Sequence, residues 1–144
     1  MIYEDEVRKA SKMFYTGLNS MANGDSGPLS AIWSHGADVT TMHPIGGREI
    51  GWDAVRGSFA GVAKLASKGK IELKDQLIHV VGDLAYEGGI ESGQITLSGE
   101  KVTIEHRVTN IYRKEGGAWK IVHHHTDISP AMIEVLKRLQ IKAA

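Results

Sequence analysis

The sequence predicts an α+β fold in which helices pack on one face of a curved, mostly antiparallel sheet. Up to about residue 66, apolar residues recur every three or four positions, which is the spacing of amphipathic helices. From residue 71 onward they recur at every second position, which is the spacing of half-buried strands. The chain has 144 residues, the length of one ordinary domain, so residues 1–144 are predicted to form a single domain.

Three helices and one strand are predicted before residue 70. The helices follow the apolar stripes of residues 7–21, 28–33 and 52–66, and the second is short, with a proline in its first turn. The β-branched residues of 38–43 indicate a strand, and the proline and glycines of 44–47 end it.

Four longer strands and a C-terminal helix are predicted for the rest of the chain. The strands cover residues 71–81, 84–96, 102–113 and 119–127, and the helix opens at Ser129 and Pro130. Glycines inside the second of these strands, at Gly88, Gly89 and Gly93, favour a bent sheet. A bent sheet under helices leaves a cavity on its concave side, which is where a ligand is expected.

Composition excludes several classes of function. Lysine plus arginine and aspartate plus glutamate each total 17, so the basic excess of a nucleic-acid-binding protein is missing. The absence of cysteine removes disulfides, thiolate catalysis and cysteine-ligated metals. Neither a signal-peptide pattern nor an apolar run long enough for a membrane span is visible, so we expect a soluble cytoplasmic protein without nucleic-acid or membrane partners.

Three segments make the chain recognisable. They are residues 38–47 with 51–55, residues 82–86, and residues 107–109 with 117–125. Together they resemble the NTF2-like superfamily, in particular its SnoaL-like and ketosteroid-isomerase-like members, and the last segment is also similar to the association domain of calcium/calmodulin-dependent kinases. The resemblance implies a cystatin/NTF2-like cone of three helices on a curved sheet, usually dimeric. It leaves function open, because this fold hosts isomerases, cyclases, dehydratases and non-catalytic modules.

The resemblance also implies a first set of site residues. His43 occupies the place of the isomerase's catalytic aspartate, and its imidazole can act as a base near neutral pH. Tyr15 lies near the isomerase's oxyanion tyrosine, and Thr109 near its second oxyanion donor. Because the isomerase set is incomplete, ketosteroid isomerase activity is not predicted. The alternatives are a His43 that bonds a loop carbonyl at the pocket rim and a Tyr15 that belongs to the core.

Histidines of the last strand form the strongest local signal. Regular alternation places His123 and His125 on one face with Trp119, and places His124 on the other. Because Trp119 is apolar, its face is predicted to be the covered one, with His123 available for proton transfer and His125 for ligand binding. A metal held by the two histidines and a third ligand is a weaker alternative, so neither a metal nor a cofactor is predicted.

The loop of the last hairpin decides which residues join this face. A two- or four-residue loop brings Asn110 and Tyr112 to the Trp119 face, whereas a three-residue loop brings Arg107 and Thr109. An inward Arg107 needs an anionic ligand or a carboxylate, for which Glu87 and Glu91 on the neighbouring strand are the candidates. An outward Arg107 implies a salt bridge at the surface or in a dimer interface.

These residues lead to two functional hypotheses. The first is a pocket that binds a small hydrophobic or carbonyl-bearing molecule, as an isomerase, cyclase or lyase acting by proton transfer. The second is a non-catalytic ligand-binding or oligomerisation module, and in both cases a homodimer is expected. The predicted catalytic residues are His43, Tyr15 and His123, and the predicted ligand-binding residues are His125, Arg107, Thr109, Asn110, Glu87 and Trp119.

Overall fold

A computed structural model describes the backbone of residues 2–143 and the side chains of residues 3–139. Three helical segments precede the long strands and pack on one face of a six-stranded sheet, and a further helix follows the last strand. The sheet is curved and does not close into a barrel. The α+β architecture predicted from the sequence is therefore confirmed.

Ten elements make up this part of the chain. In order they are α1 (Ile2–Met21), a 3₁₀ helix (Gly27–Ala31), β1 (Thr40–His43), β2 (Gly46–Ile50), α2 (Trp52–Ala63), β3 (Ala66–Val81), β4 (Leu84–Leu97), β5 (Glu100–Glu115), β6 (Ala118–Thr126) and α3 (Pro130–Ala143). The strand order is β2-β1-β6-β5-β4-β3. Among the strands of residues 2–143, β1 and β6 pair in parallel, and the other neighbours pair antiparallel.

The apolar stripe of α1 forms one side of the core. Val7, Phe14 and Leu18 are fully or almost fully buried, as their helical spacing predicts. Trp33, just after the 3₁₀ helix, packs against Phe14 and against Phe59 of α2 with ring centroids 6.3 and 5.9 Å apart. Among residues 2–143, no helix is both long enough and apolar enough to cross a membrane.

Three local differences separate the sequence prediction from the structure. The second helix is a single 3₁₀ turn of five residues. β2 was missed, because its side chains are mostly exposed and two glycines open it, so it lacks the alternation that identifies a strand. α2 ends at Ala63, and Ala66, which was predicted to lie in this helix, begins β3. The sequence could not separate the two, because a buried alanine fits the end of a helix and the start of a strand equally well.

Bulges bend the sheet where β4 carries glycine. The register between β3 and β4 shifts twice, between Ser67 and Lys70 and between Lys74 and Leu77. Gly93 faces the first shift with φ of 150°, and a Cβ atom built there would lie 1.8 Å from the backbone oxygen of Lys70. This close backbone approach admits only glycine, and it bends the sheet beneath the helices.

Candidate functional site

A bulge in β6 decides which histidine points inward. Ile111 of β5 pairs with His123 and the next residue, Tyr112, pairs with Ile121, so Val122 is an extra residue in β6. The extra residue reverses the alternation beyond it. His124 is therefore buried on the inner face with Ile121, whereas His123 is half-buried and His125 exposed on the outer face. The predicted inward position of His123 and His125 is wrong for this reason.

The outward histidines form a pair on the sheet surface. Nδ1 of His123 lies 2.6 Å from Oγ1 of Thr40, and the rings of His123 and His125 are 5.9 Å apart. Partial burial and the neighbouring His125 lower the pKa of His123. Among the residues that the structure describes, no group of three histidine, aspartate or glutamate side chains could hold a metal ion.

A two-residue loop sets the register of the last hairpin. Glu115 pairs with Ala118 across the loop, so Asn110 and Tyr112 join Trp119 on the inner face. Thr109 consequently lies on the exposed outer face, away from the cavity. This is one of the two arrangements that the sequence left open.

Arg107 also lies on the outer face, where it forms a salt bridge with Asp127. Its Nε and Nη2 donate to the two carboxylate oxygens of Asp127 at 2.9 and 3.0 Å. The bonds from Arg107 lower the pKa of Asp127 to about 2. Of the two alternatives for Arg107, the structure therefore shows the outward one, with a salt bridge at the surface, while Glu87 and Glu91 lie on the inner face. Arg107 and Thr109 are therefore not ligand-binding residues of the inner cavity.

The inner face of the sheet encloses a cavity with a mostly apolar wall. About 60 Å³ is accessible there to the centres of water molecules, several times what one water requires. Its polar lining consists of His43, Glu91, His106 and His124, and its apolar lining includes Leu18, Met21, Phe59, Ile95, Ile104 and Met132. Three imidazoles and one carboxylate thus share a small apolar space.

Glu91 and His106 form a buried pair in this lining. They face each other across β4 and β5, and Nε2 of His106 lies 2.8 Å from Oε1 of Glu91. Burial alone raises the pKa of Glu91, but the bond from His106, the nearby His124 and a bond from Tyr15 outweigh it, so the net pKa is below its ordinary value. Glu91 is therefore an ionised carboxylate that orients His106.

Tyr15 supports this carboxylate instead of facing the cavity. Its hydroxyl donates to Oε2 of Glu91 at 2.8 Å and accepts a bond from Nδ2 of Asn110 at 3.1 Å. Burial and the neighbouring Glu91 raise the pKa of Tyr15 far above its ordinary value. Since its single proton is committed to Glu91, Tyr15 is not free to bond a ligand oxyanion, which was its predicted role.

A second buried carboxylate, Glu87, lies beneath the cavity. It accepts hydrogen bonds from Asn110, Tyr112 and Gln76 at 3.0, 2.8 and 2.6 Å. Glu87 is not part of the cavity lining and these three donors occupy its oxygens, so the structure does not support its predicted role in binding a ligand. Trp119 is likewise part of the core, where its indole nitrogen donates to Glu6 at 2.9 Å.

His43 stands at the end of β1, opposite α2. Its Nε2 lies 2.8 Å from Oγ of Ser58, and Ser58 donates its own proton to the backbone oxygen of Val55 at 2.7 Å. Ser58 must therefore accept from His43, which places the proton of the neutral ring on Nε2 and leaves the lone pair on Nδ1. Burial lowers the pKa of His43 below 6.5, against the opposite effect of Glu49 and Glu91.

His124 is the third imidazole of the cavity. Its Nδ1 lies 2.6 Å from Oδ1 of Asn110, and its ring packs at 5.1 Å from that of Phe14. Burial lowers the pKa of His124 to about 4, so the ring is neutral at physiological pH.

Of the residues predicted for the site, His43 lines the cavity. Glu91 was considered only as a partner of Arg107, and His106 and His124 were not predicted to line the cavity. A signal for each of the first two, Glu91 and His106, was available. Glu91 lies four residues after Glu87 on one strand and so shares its face, and His106 alternates with the apolar Ile104 and Val108. No comparable signal existed for His124, since the bulge beside it follows from no residue type in β6.

Comparison with known proteins places this geometry in a family. A family model described as the SnoaL-like domain matches residues 12–132. A comparison with curated proteins finds no significant match.

Several solved structures share the fold. A proposed dehydratase of the NTF2-like family from Streptomyces avermitilis is 26% identical, with a TM-score of 0.76 and coverage of 88% of this chain and 96% of that one. A proposed aromatic ring hydroxylase from Novosphingobium aromaticivorans is 16% identical, with a TM-score of 0.74 and coverage of 85% and 86%. A proposed calcium/calmodulin-dependent protein kinase type II association domain from Thiobacillus denitrificans is 21% identical, with a TM-score of 0.69 and coverage of 83% and 92%. With the family model matching most of its length, the chain belongs to the SnoaL-like domain family of the NTF2-like superfamily.

Proposed function

We propose that the protein is an enzyme that moves a proton next to the carbonyl group of a small, largely apolar ligand, as an isomerase or a dehydratase does. The observation that carries the proposal is the cavity lining, in which a neutral His43 and a carboxylate-backed His106 share one apolar space. Reaction at the carbon next to a carbonyl needs a base for that carbon and a proton donor for the oxygen.

His43 is suited to be the base. The bond to Ser58 holds its proton on Nε2, so Nδ1 carries the lone pair that accepts a proton from carbon. Burial keeps the ring neutral by lowering its pKa, and a base is active only in its unprotonated form. The apolar wall excludes bulk water, which would otherwise solvate the lone pair.

His106 is suited to be the proton donor. Its Nε2 bonds the carboxylate of Glu91, which is the counter-ion for the imidazole when Nδ1 delivers a proton to the carbonyl oxygen of the ligand. Tyr15 holds the other oxygen of Glu91, so the carboxylate cannot turn away. The base and the acid thus differ because their surroundings differ.

The size of the cavity supports a small ligand. With about 60 Å³ for the centres of water molecules, it suits a single ring or a short chain, whereas a four-ring steroid would need the wall to move. The similarity to a proposed dehydratase agrees with this class of reaction, because elimination of water from a β-hydroxy carbonyl compound begins with loss of the same kind of proton.

Exchange of the α-protons of cyclohexanone with D₂O, followed by ¹H NMR, tests the reaction without the natural substrate. We expect the protein to accelerate the exchange, and His43→Gln to reduce the acceleration by roughly 100-fold, the usual contribution of a general base. His125→Gln is the matched control, since it changes an exposed histidine on the outer face. Equal exchange by the His43→Gln variant and the unaltered protein would remove His43 as the base.

We further propose that the protein forms a homodimer through an outer apolar patch, defined as Leu77, Val81, Leu84 and Tyr86. These residues cover the outer face of the β3–β4 hairpin and are between 44% and 71% exposed. Exposed apolar residues grouped in this way favour a protein contact. We assign this contact to a second copy of the chain, because proteins of this fold are expected to be dimeric. The predicted cytoplasmic location is a separate expectation.

A further inference from the structure

The reaction proposed above uses two of the three imidazoles in the cavity. We propose that the third, His124, accepts a hydrogen bond from a hydroxyl group of the ligand through Nε2, so that the substrates are hydroxyl-bearing carbonyl compounds. This inference rests on the proposed function, because it names the substrate class of the same cavity. It depends on three points: the position of the ring proton, the free state of Nε2 and the neutrality of the ring.

The position of the proton follows from a chain of hydrogen bonds that begins at Glu91. The side-chain nitrogen of Asn110 donates to Glu87 at 3.0 Å and to the hydroxyl of Tyr15 at 3.1 Å. Because Tyr15 gives its own proton to Glu91, its hydroxyl must accept from Asn110, so the nitrogen of Asn110, and not its oxygen, faces this side. The amide oxygen of Asn110 then faces Nδ1 of His124 at 2.6 Å, and it only accepts. Nδ1 of His124 therefore carries the proton, and Nε2 carries the lone pair.

Nε2 of His124 is free and accessible. No described side chain or backbone group of residues 3–139 bonds it. Within the same residues, two side-chain atoms are fully buried and have no hydrogen-bond partner, Nε1 of Trp33 and Oγ1 of Thr126. Nε2 of His124 is not among them although it has no partner, so it is not fully buried. Because His124 is buried by protein on its other sides and lines the cavity, its free nitrogen is open toward the cavity.

The surroundings of His124 keep it an acceptor. Its charged or titratable neighbours are Glu91, His43, His106 and His123, while the rings of Phe14 and Phe59 pack at 5.1 and 6.4 Å. Glu91 alone favours a positive charge on His124, and its oxygens are already bonded by His106 and Tyr15. The aromatic rings and the other histidines disfavour that charge, so His124 does not become a donor near neutral pH.

A fixed acceptor in an apolar wall selects among ligands. A ligand hydroxyl placed against Nε2 gains a hydrogen bond, whereas a ligand oxygen without a proton meets a lone pair and is rejected. Since the proton donor assigned to the carbonyl is His106, the same ligand must present a carbonyl at one polar point and a hydroxyl at another. Cyclohexanone satisfies the first requirement, and 4-hydroxycyclohexanone satisfies both.

Equilibrium binding of these two ketones, measured by NMR titration, tests the inference. We expect 4-hydroxycyclohexanone to bind about five-fold more tightly than cyclohexanone, the gain of one ordinary hydrogen bond. The His124→Phe variant, which keeps a ring in place but lacks the acceptor, should bind both ketones equally. The His125→Phe variant, altered on the outer face, should keep the five-fold preference.

A second measurement uses only the unaltered protein. The ¹⁵N chemical shift of His124 Nε2 should move on addition of 4-hydroxycyclohexanone and stay unchanged with cyclohexanone. Equal affinities for the two ketones, a preference that survives in His124→Phe, or an unmoved Nε2 signal would overturn the inference while leaving the α-proton exchange, and with it the proposed function, intact. Absence of saturable binding by either ketone would overturn both.

Discussion

At the scale of single residues, the cavity shows how neighbours assign different properties to identical side chains. Three imidazoles share one small space, but each bonds a different partner. Ser58 bonds Nε2 of His43, Glu91 bonds Nε2 of His106, and Asn110 bonds Nδ1 of His124. Burial is common to all three, so the hydrogen-bond partner decides the role. Buried polar groups of this kind contribute to stability only while every partner is in place.

Protonation of His124 should therefore destabilise the fold in acid. Its pKa is about 4 in the folded protein and about 6.5 in the unfolded chain, so the unfolded chain binds the proton first as the pH falls. The contribution to stability is complete above pH 6.5 and is lost between pH 6.5 and about 4, amounting to roughly 3 kcal/mol. Urea denaturation at pH 7, 5.5 and 4 measures it as a free energy of unfolding.

Two variants separate the contribution of His124 to the pH dependence of stability from that of other titrating groups. His43 and His123 also have lowered pKa values and add to the pH dependence of the unaltered protein. The His124→Gln variant should lose the part that belongs to His124, whereas His125→Gln should keep it. An identical decline in stability for His124→Gln and the unaltered protein would show that His124 does not resist protonation.

At the scale of elements, irregularities of the strands shape the site. The bulges of β3 create the bend over which the helices lie, and the bulge of β6 chooses the inward histidine. Gly93 marks the tightest of these points, because its φ of 150° and its contact with the Lys70 backbone both require the absence of a side chain.

Gly93→Ala should consequently destabilise the protein strongly, by about 3 kcal/mol or more, since either the backbone of β3 or that of β4 must shift. Gly88→Ala in the same strand is the matched control, because a Cβ there meets nothing within 4 Å. That control should lie within about 1 kcal/mol of the unaltered protein. Chemical denaturation of both variants at pH 7 compares them, and similar stabilities would refute the close approach at Gly93.

The same elements explain how far the sequence could lead. Helical stripes and alternating strands follow from burial, so the fold was within reach. The inward position of Asn110 depended on the length of the loop at Gly116–Gly117, which the sequence left open. The inward position of His124 was not within reach. Three consecutive histidines are equally polar, so their pattern does not show which of them points inward. The bulge at Val122 contains no glycine or proline that would indicate it in the sequence.

At the scale of the whole molecule, the two faces of the sheet carry separate tasks. The inner face holds the cavity with its three imidazoles and one carboxylate, whereas the outer face presents the outer apolar patch and the surface ion pair of Arg107 and Asp127. The proposed dimer therefore leaves the cavity untouched.

Sedimentation velocity at micromolar concentration tests the dimer. We expect the unaltered protein to sediment as two copies and Val81→Glu to sediment as one, because a charge in the centre of an apolar contact is costly to desolvate. Thr103→Glu provides the control, since Thr103 is exposed on the same face of the sheet, opposite Gln94 and far from the outer apolar patch. A monomeric unaltered protein would rule out this contact.

The wall supplied by α3 has a consequence for how such proteins diversify. Met132 closes part of the cavity, and Ser129 anchors that helix by capping Met132 and by bonding the backbone oxygen of Pro44. None of the acid–base side chains comes from α3. Replacements along this terminal segment can thus enlarge or shrink the chamber without altering the side chains to which the proposed reaction is assigned, so that ligand size and chemistry can change independently.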